Sequence, residues 1–216
     1  MFRYYITSFL VFSIIIVALF IKPVNALLPL SGKLIIVDPG HGGKDAGTSS
    51  NGVLEKDLNL EISLKLEKEL IKSGASVLLT RDGDYDLSSP NVSWRKKSDF
   101  DNRIEIINRT NADYYISIHL NYLNDSSYYG PQVFYNKSNK QFALVMQDAL
   151  NSMLQGEREI KTIPTTTYMY SKLRVPGLLI ECGFLSNYQE RQKLMSIDYQ
   201  EQVAKAIVRG IINYSI

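Results

Sequence analysis

A single cysteine, Cys182, stands among 216 residues, so no disulfide can form within the chain. Histidine is almost as scarce, with only His41 and His119. An excess of one charge is also missing, since 24 basic residues against 22 acidic ones leave a formal +2. Arg3 and Lys22 of the N-terminal segment account for that excess, and the rest of the chain is near neutral. The concentrated basic face of a nucleic-acid binder is therefore absent. No internal repeat marks the chain and nothing signals a second folded domain. A domain of roughly 190 residues buries an adequate core without cross-links.

The chain does have one long apolar run, residues 4–21, uncharged, preceded by Arg3 and ended by Lys22-Pro23. It reads as an export signal, with small residues before a cleavage point after Ala26, or as a retained anchor close to the roughly 20 residues that span a bilayer. Either way residues 27–216 form a domain working outside the cytoplasmic membrane, which meets the membrane only through residues 1–26.

Three buried strands end in chemistry. Leu34-Ile35-Ile36-Val37 is apolar, and Asp38-Pro39-Gly40 stops it just before His41. Tyr114-Tyr115-Ile116-Ser117-Ile118 ends in His119, and Gly177-Leu178-Leu179-Ile180 ends in Glu181. In open α/β sheets, ligands bind beyond the carboxyl ends of strands. Helices are expected from about Lys56 to Ser73, on the stripe Leu58, Ile62, Leu66 and Leu70, and from Asp101 to Thr110. Others should follow a cap at Ser138, run from Ser186 or Asn187 to Leu194, and run from Asp198 to Tyr214. Val77–Thr80 and Gln132–Tyr135 read as strands and Tyr168–Tyr170 as a short one. The stretches Pro39–Leu54 and Arg81–Phe100 read as long polar loops. This order predicts a single α/β domain, a mostly parallel or mixed sheet flanked by helices, with a metal site at the carboxyl ends of the strands.

Zinc hydrolases commonly use three His or carboxylate ligands and a water. His41 and His119 are the only imidazoles, and Glu55, at the far end of the loop that begins at His41, is the favoured carboxylate. Asp45 and Asp57 remain alternatives. Glu181 is then a spare carboxylate at the same sheet edge, placed to take a proton from water and hand it to a leaving amine.

These motifs together resemble the zinc-dependent N-acetylmuramoyl-L-alanine amidases over nearly all of residues 30–214. Asp38-Pro39-Gly40-His41-Gly42-Gly43, Glu55-Lys56-Asp57-Leu58, Ser117-Ile118-His119-Leu120-Asn121 and Ile180-Glu181-Cys182-Gly183-Phe184 are similar to that family's four motifs, in order. The resemblance implies one zinc ion on His41, Glu55 and His119, a catalytic Glu181, and peptidoglycan as substrate, cut between the lactyl group of N-acetylmuramic acid and L-alanine. Leu28-Pro29-Leu30-Ser31-Gly32-Lys33, Arg95-Lys96-Lys97 and Gly130-Pro131-Gln132-Val133-Phe134-Tyr135 extend it to sporulation-associated members that prepare spore cortex for muramic-δ-lactam formation. Some of those members depend on a lipoprotein partner. Asn121 and Arg95 are candidate substrate-binding residues, Asp38 and Asn121 are candidates either to support the metal ligands or to hold a turn, and Arg81 is a further candidate for a stem-peptide carboxylate. Tyr122, Tyr128 and Tyr129 are read as edge packing before sugar stacking. Cys182 departs from the apolar residue common at its position and should pack inward. Rival readings are a cysteine hydrolase pairing Cys182 with His119, another zinc hydrolase of the cell wall, and a catalytically silent wall-binding protein. The first leaves His41 and Glu55 without roles.

Overall fold

The apolar run that opens the domain is β1 (Leu34–Pro39), in which Ile35, Ile36 and Val37 are wholly buried. The computed structural model describes residues 28–215, so the signal or anchor expected at residues 1–26 lies outside the described residues. After β1 come a hairpin of β2 (Ser49–Ser50) and β3 (Val53–Leu54), then α1 (Glu55–Lys72), β4 (Ser76–Leu79) and α2 (Arg95–Asn108). β5 (Tyr114–Asn121), β6 (Gln132–Tyr135), α3 (Lys140–Leu154) and β7 (Lys161–Thr162) follow. β8 (Gly177–Phe184), α4 (Tyr188–Leu194) and α5 (Ile197–Ser215) end the chain.

Six strands form one mixed sheet in the order β4-β1-β5-β8-β6-β7. β4, β1, β5 and β8 run parallel, while β6 lies antiparallel to β8. The chain leaves β1 for β4 on one side and returns to β5 on the other, so strand order reverses between β1 and β5. Crevices at such reversals are where open α/β sheets hold ligands. His41 follows the end of β1, and His119 lies near the end of β5.

Alternation along each strand sorts the residues into two layers. One face carries Ile35, Val37, Ile116, Ile118, Ile180 and Cys182, packed under Leu58, Ile62, Leu66 and Leu70 of α1 and under α3 and α5. The other carries Ile36, Tyr115 and Leu179, packed with Ile107 of α2 and with Met169 and Tyr170. In register on that second face lie Asp38 beside Ser117, and His119 beside Glu181 beside Gln132. Cys182 is on the opposite face from His119 and fully buried, and burial pushes its thiol far above the ordinary range. That removes the cysteine-hydrolase alternative.

Several boundaries differ from the sequence reading. α2 begins at Arg95, six residues before the expected Asp101. Its opening Arg95-Lys96-Lys97 oppose the helix dipole and no side chain caps it, so the local signal for a start is poor. The loop expected from Pro39 to Leu54 contains the β2–β3 hairpin. Tyr168–Tyr170 is a turn, and the short edge strand is Lys161–Thr162 instead. Ser138 lies in a 3-10 turn and does not cap α3, whereas the Asn187 side chain does cap α4. Among the described residues no helix is long and apolar enough to cross a membrane.

Candidate metal centre and active site

His41 stands in the left-handed region at φ 62, between Gly40 and Gly42. A non-glycine residue there is strained, and such strain persists only where the surroundings impose it. Arg103 of α2 imposes it here. Its buried guanidinium donates to the carbonyls of His41 (2.6 Å) and Pro39 (2.8 Å) and to Asp38 Oδ1 (2.6 Å), while Nε reaches Asp99 (2.8 Å). Arg81, equally buried, donates to the carbonyls of Pro39, Gly40, Lys56 and Gly83. The loop after β1 is thus held by two arginines. Arg81 is thereby spent on backbone, which corrects its candidacy for a substrate carboxylate.

Glu55 opens α1 and points back to the sheet edge. Its Oε1 lies 3.2 Å from His41 Nε2 and 3.0 Å from His119 Nδ1. The backbone N–H of Leu120 and the Asn59 side chain also donate to Oε1, and Thr48 N–H donates to Oε2. One donor atom from each of His41, Glu55 and His119 lies within 4.8 Å of the others. Two glycines make the approach possible. A Cβ on Gly40 would sit 2.3 Å from the His119 ring, and one on Gly47 would sit 2.5 Å from Glu55 Oε2.

The set fits a zinc ion. Ligand atoms about 2.0–2.1 Å from a tetrahedral zinc stand about 3.3 Å apart, close to the two spacings on Glu55. The cluster also attracts positive charge. Burial alone would lower the His41 pKa, but the carboxylates of Asp45 and Glu55 outweigh it and raise it to about 9. Glu55 is held far below the usual carboxylate range: burial opposes this, and its contacts with His119 and His41 prevail. The outer His41 nitrogen, Nδ1, has Asp45 Oδ2 at 3.0 Å but off the direction of a hydrogen bond. Asp57 pairs with Lys56 and is half exposed.

Behind His119 runs a buried chain. Its Nε2 lies 3.4 Å from the Tyr170 hydroxyl, which lies 3.1 Å from Ser117 Oγ. Ser117 Oγ donates to Asp38, which also accepts from Thr80 and Arg103. Burial disfavours the Asp38 charge, yet the Arg103 charge and these hydrogen bonds hold its pKa below the ordinary value. Tyr170 is pushed well up by burial and by Asp38, and so keeps its proton. Of this chain, sequence reasoning singled out only Asp38. Ser117 was open to discovery, two residues before His119 and therefore on the same strand face, but nothing local marks Tyr170.

Glu181 is the register partner of His119 on the adjacent strand. Its Oε2 is buried with no hydrogen-bond partner. Desolvation first, and the Glu55 charge second, raise its pKa to about 8 against a smaller opposing effect of His41. Asn121 ends β5, and its Oδ1 accepts from Tyr122 N–H. Arg95 forms a two-oxygen contact with Asp86 and lines a small cavity with Lys44, Asp45 and Lys96.

Replacing Arg103 with Met should destabilise the fold by about 3–5 kcal/mol, because it leaves Asp38 and Asp99 as buried charges without their partner. In a domain of this size that lowers the melting temperature by on the order of 10 °C. A melting temperature within about 2 °C of the parent would show that the pair adds nothing net.

Residues 35–213 match the family described as N-acetylmuramoyl-L-alanine amidase. The germination-specific N-acetylmuramoyl-L-alanine amidase of Bacillus subtilis is 41% identical over 194 residues, 87% of this chain and 81% of that protein. The solved CwlD amidase from Clostridioides difficile, in complex with the GerS lipoprotein, superposes with a TM-score of 0.80 at 39% identity, covering 84% of this chain and 98% of that one. AmiC2 of Nostoc punctiforme, also an N-acetylmuramoyl-L-alanine amidase, gives a TM-score of 0.74 at 32% identity over 85% of this chain and 98% of its own.

Proposed function

The chain belongs to the N-acetylmuramoyl-L-alanine amidase family, and from that premise we propose that it hydrolyses the amide joining the lactyl group of N-acetylmuramic acid to L-alanine, using one zinc ion held by His41, Glu55 and His119. The observation that carries this reading is the three-donor cluster with an uncommitted, raised-pKa carboxylate in register beside it.

A zinc ion bound there supplies a Lewis acid for the amide carbonyl and lowers the pKa of its water to about 7. The protein's own residues do the rest. Glu55, fixed by Thr48, Leu120 and Asn59, presents one oxygen to both imidazoles. The Tyr170–Ser117–Asp38 chain orients the His119 ring from behind, as partners of ligating histidines do. Glu181, its ionised form favoured as the charge of a bound zinc offsets that of Glu55, uses its unpartnered Oε2 to take the proton from the attacking water and return it to the alanine nitrogen as the C–N bond breaks.

We place the reaction outside the cytoplasmic membrane and in spore-cortex maturation, a step toward muramic-δ-lactam. The similarity to the germination-specific relative supports that role. Asn121 and Arg95 are the proposed substrate contacts. An accessory lipoprotein is a proposed partner, on the ground that the similar CwlD amidase was solved with one.

Digesting purified peptidoglycan with the zinc-loaded protein tests the reaction. New α-amino groups of L-alanine are expected to appear with time. New reducing sugars or new peptide carboxylates in their place would assign a different bond.

A further inference from the structure

Between His119 and Asn121 the pairing of β5 with β8 slips: His119 faces Glu181, but Asn121 faces Phe184. β8 therefore uses three residues where β5 uses two. Such a bulge re-aims a side chain. It turns Phe184 to the same face as Glu181, on the strand end that carries the candidate active site. Glu181 and Phe184 are then separated by at most about 10 Å along the strand.

Phe184 is buried, yet it belongs to neither apolar cluster of the core. Its cover is Tyr128, at 6.0 Å between ring centroids, and the guanidinium of Arg158, whose carbon lies 5.0 Å from the Phe184 centroid and 4.9 Å from that of Tyr128. Arg158 Nε donates to the Tyr129 carbonyl at 2.7 Å. With its carbon about 5 Å from two ring centroids and Nε committed, the guanidinium is held in place before any ligand arrives. Its two terminal nitrogens have no hydrogen-bond partner among the described residues, and no carboxylate of those residues comes within 4 Å. Glu190 is nearby, but its Oε2 accepts from the N–H groups of Gly130 and Phe184. The guanidinium lines a cavity of about 290 Å³ with Ser127, Tyr128, Tyr129 and Glu157. Glu157 is exposed to solvent.

We propose that Arg158 is a specificity-determining residue that binds, through its two terminal nitrogens, a carboxylate of the peptide running on from the L-alanine. An extended peptide advances about 3.3–3.6 Å per residue, so three residues past the cleaved amide span about 10–11 Å, comparable to the separation of Glu181 and Phe184 along β8. Bidentate pairing with a planar carboxylate is what an oriented guanidinium selects. The proposal rests on the amidase reading above, since it takes the substrate from it.

The test uses zinc-loaded full-length protein and two N-acetylmuramoyl tripeptides that differ only in a C-terminal carboxylate or carboxamide. Parent kcat/KM should favour the carboxylate by about tenfold or more, the worth of a hydrogen bond to a charged group. In Arg158→Gln that ratio should fall to near one, through a rise in KM for the carboxylate substrate. Arg158→Lys, which keeps the charge and loses the fork, should fall between. A parent ratio near one, or an equal loss on both substrates in Arg158→Gln, would overturn the proposal and leave the arginine a loop anchor. Failure of the parent to release L-alanine amino groups from either substrate would instead overturn the amidase reading, and the subsite with it.

Discussion

Glu181→Gln should lower kcat by about 10³-fold or more while the protein remains folded and still binds one zinc per chain, since positioned proton transfer contributes roughly 10²–10⁴. Gln keeps the volume and the β8 register but cannot carry a proton between water and the leaving amine. Glu181 is not among the three clustered donors, so metal uptake should survive. A loss below about tenfold would remove Glu181 from the chemistry, whatever the metal does.

The same variant has a stability signature. The Glu181 pKa in the folded metal-free protein is raised to about 8 from an ordinary 4.5. Below pH 4.5 the carboxyl is neutral whether folded or not, and costs nothing. From 4.5 to 8 the unfolded chain ionises it and the folded one resists, so the penalty grows. Above 8 it is constant. Metal-free Glu181→Gln should therefore exceed its parent in stability at pH 9, by about 1–3 kcal/mol after allowing for partial exposure, with no gap at pH 4. An equal gap at both values would mean that the variant acts through packing and not through the charge.

Much of this centre was legible because its parts announce themselves locally. His41, His119 and Glu181 each end an apolar run, and the parallel pairing of β1, β5 and β8 brings those ends to one edge. Glu55 was legible through its place at the far end of the loop that begins at His41 and through the resemblance of the motif it opens. Its place depends on α1 starting where the β2–β3 hairpin turns the loop back, and a two-residue strand leaves almost no pattern in a sequence. Most of the buried polar residues behind the site were not legible. Tyr170 sits in a turn that read as a strand, and it meets Ser117 only through the fold. Arg103 and Asp99 have the i,i+4 spacing of a helical pair, but the helix that carries both was expected to begin two residues after Asp99. Arg81 has the composition of a surface arginine and the environment of a core one, because four backbone carbonyls needed donors in the same place.

Glu55→Gln should lower zinc affinity by at least about 10³-fold, which is about 4 kcal/mol, and abolish hydrolysis as completely as a strong chelator does. The effect is electrostatic before it is geometric. Oε1 of Glu55 lies close to both imidazoles, and its charge helps raise His41 to a pKa of about 9. Gln keeps the shape but removes that charge, and its amide group cannot satisfy Thr48, Leu120 and Asn59, which all donate to the carboxylate. Zinc stabilises the parent by an amount that grows with the logarithm of its concentration over Kd, so the parent melting temperature should climb on zinc addition and the variant's should not. Chelation should silence the parent reversibly, with zinc restoring activity. If Glu55→Gln still holds one zinc per chain and hydrolyses at the parent rate, the third ligand is another carboxylate. Asp45, 3.0 Å from His41 Nδ1, is the one placed to be it, after the His41 ring has turned.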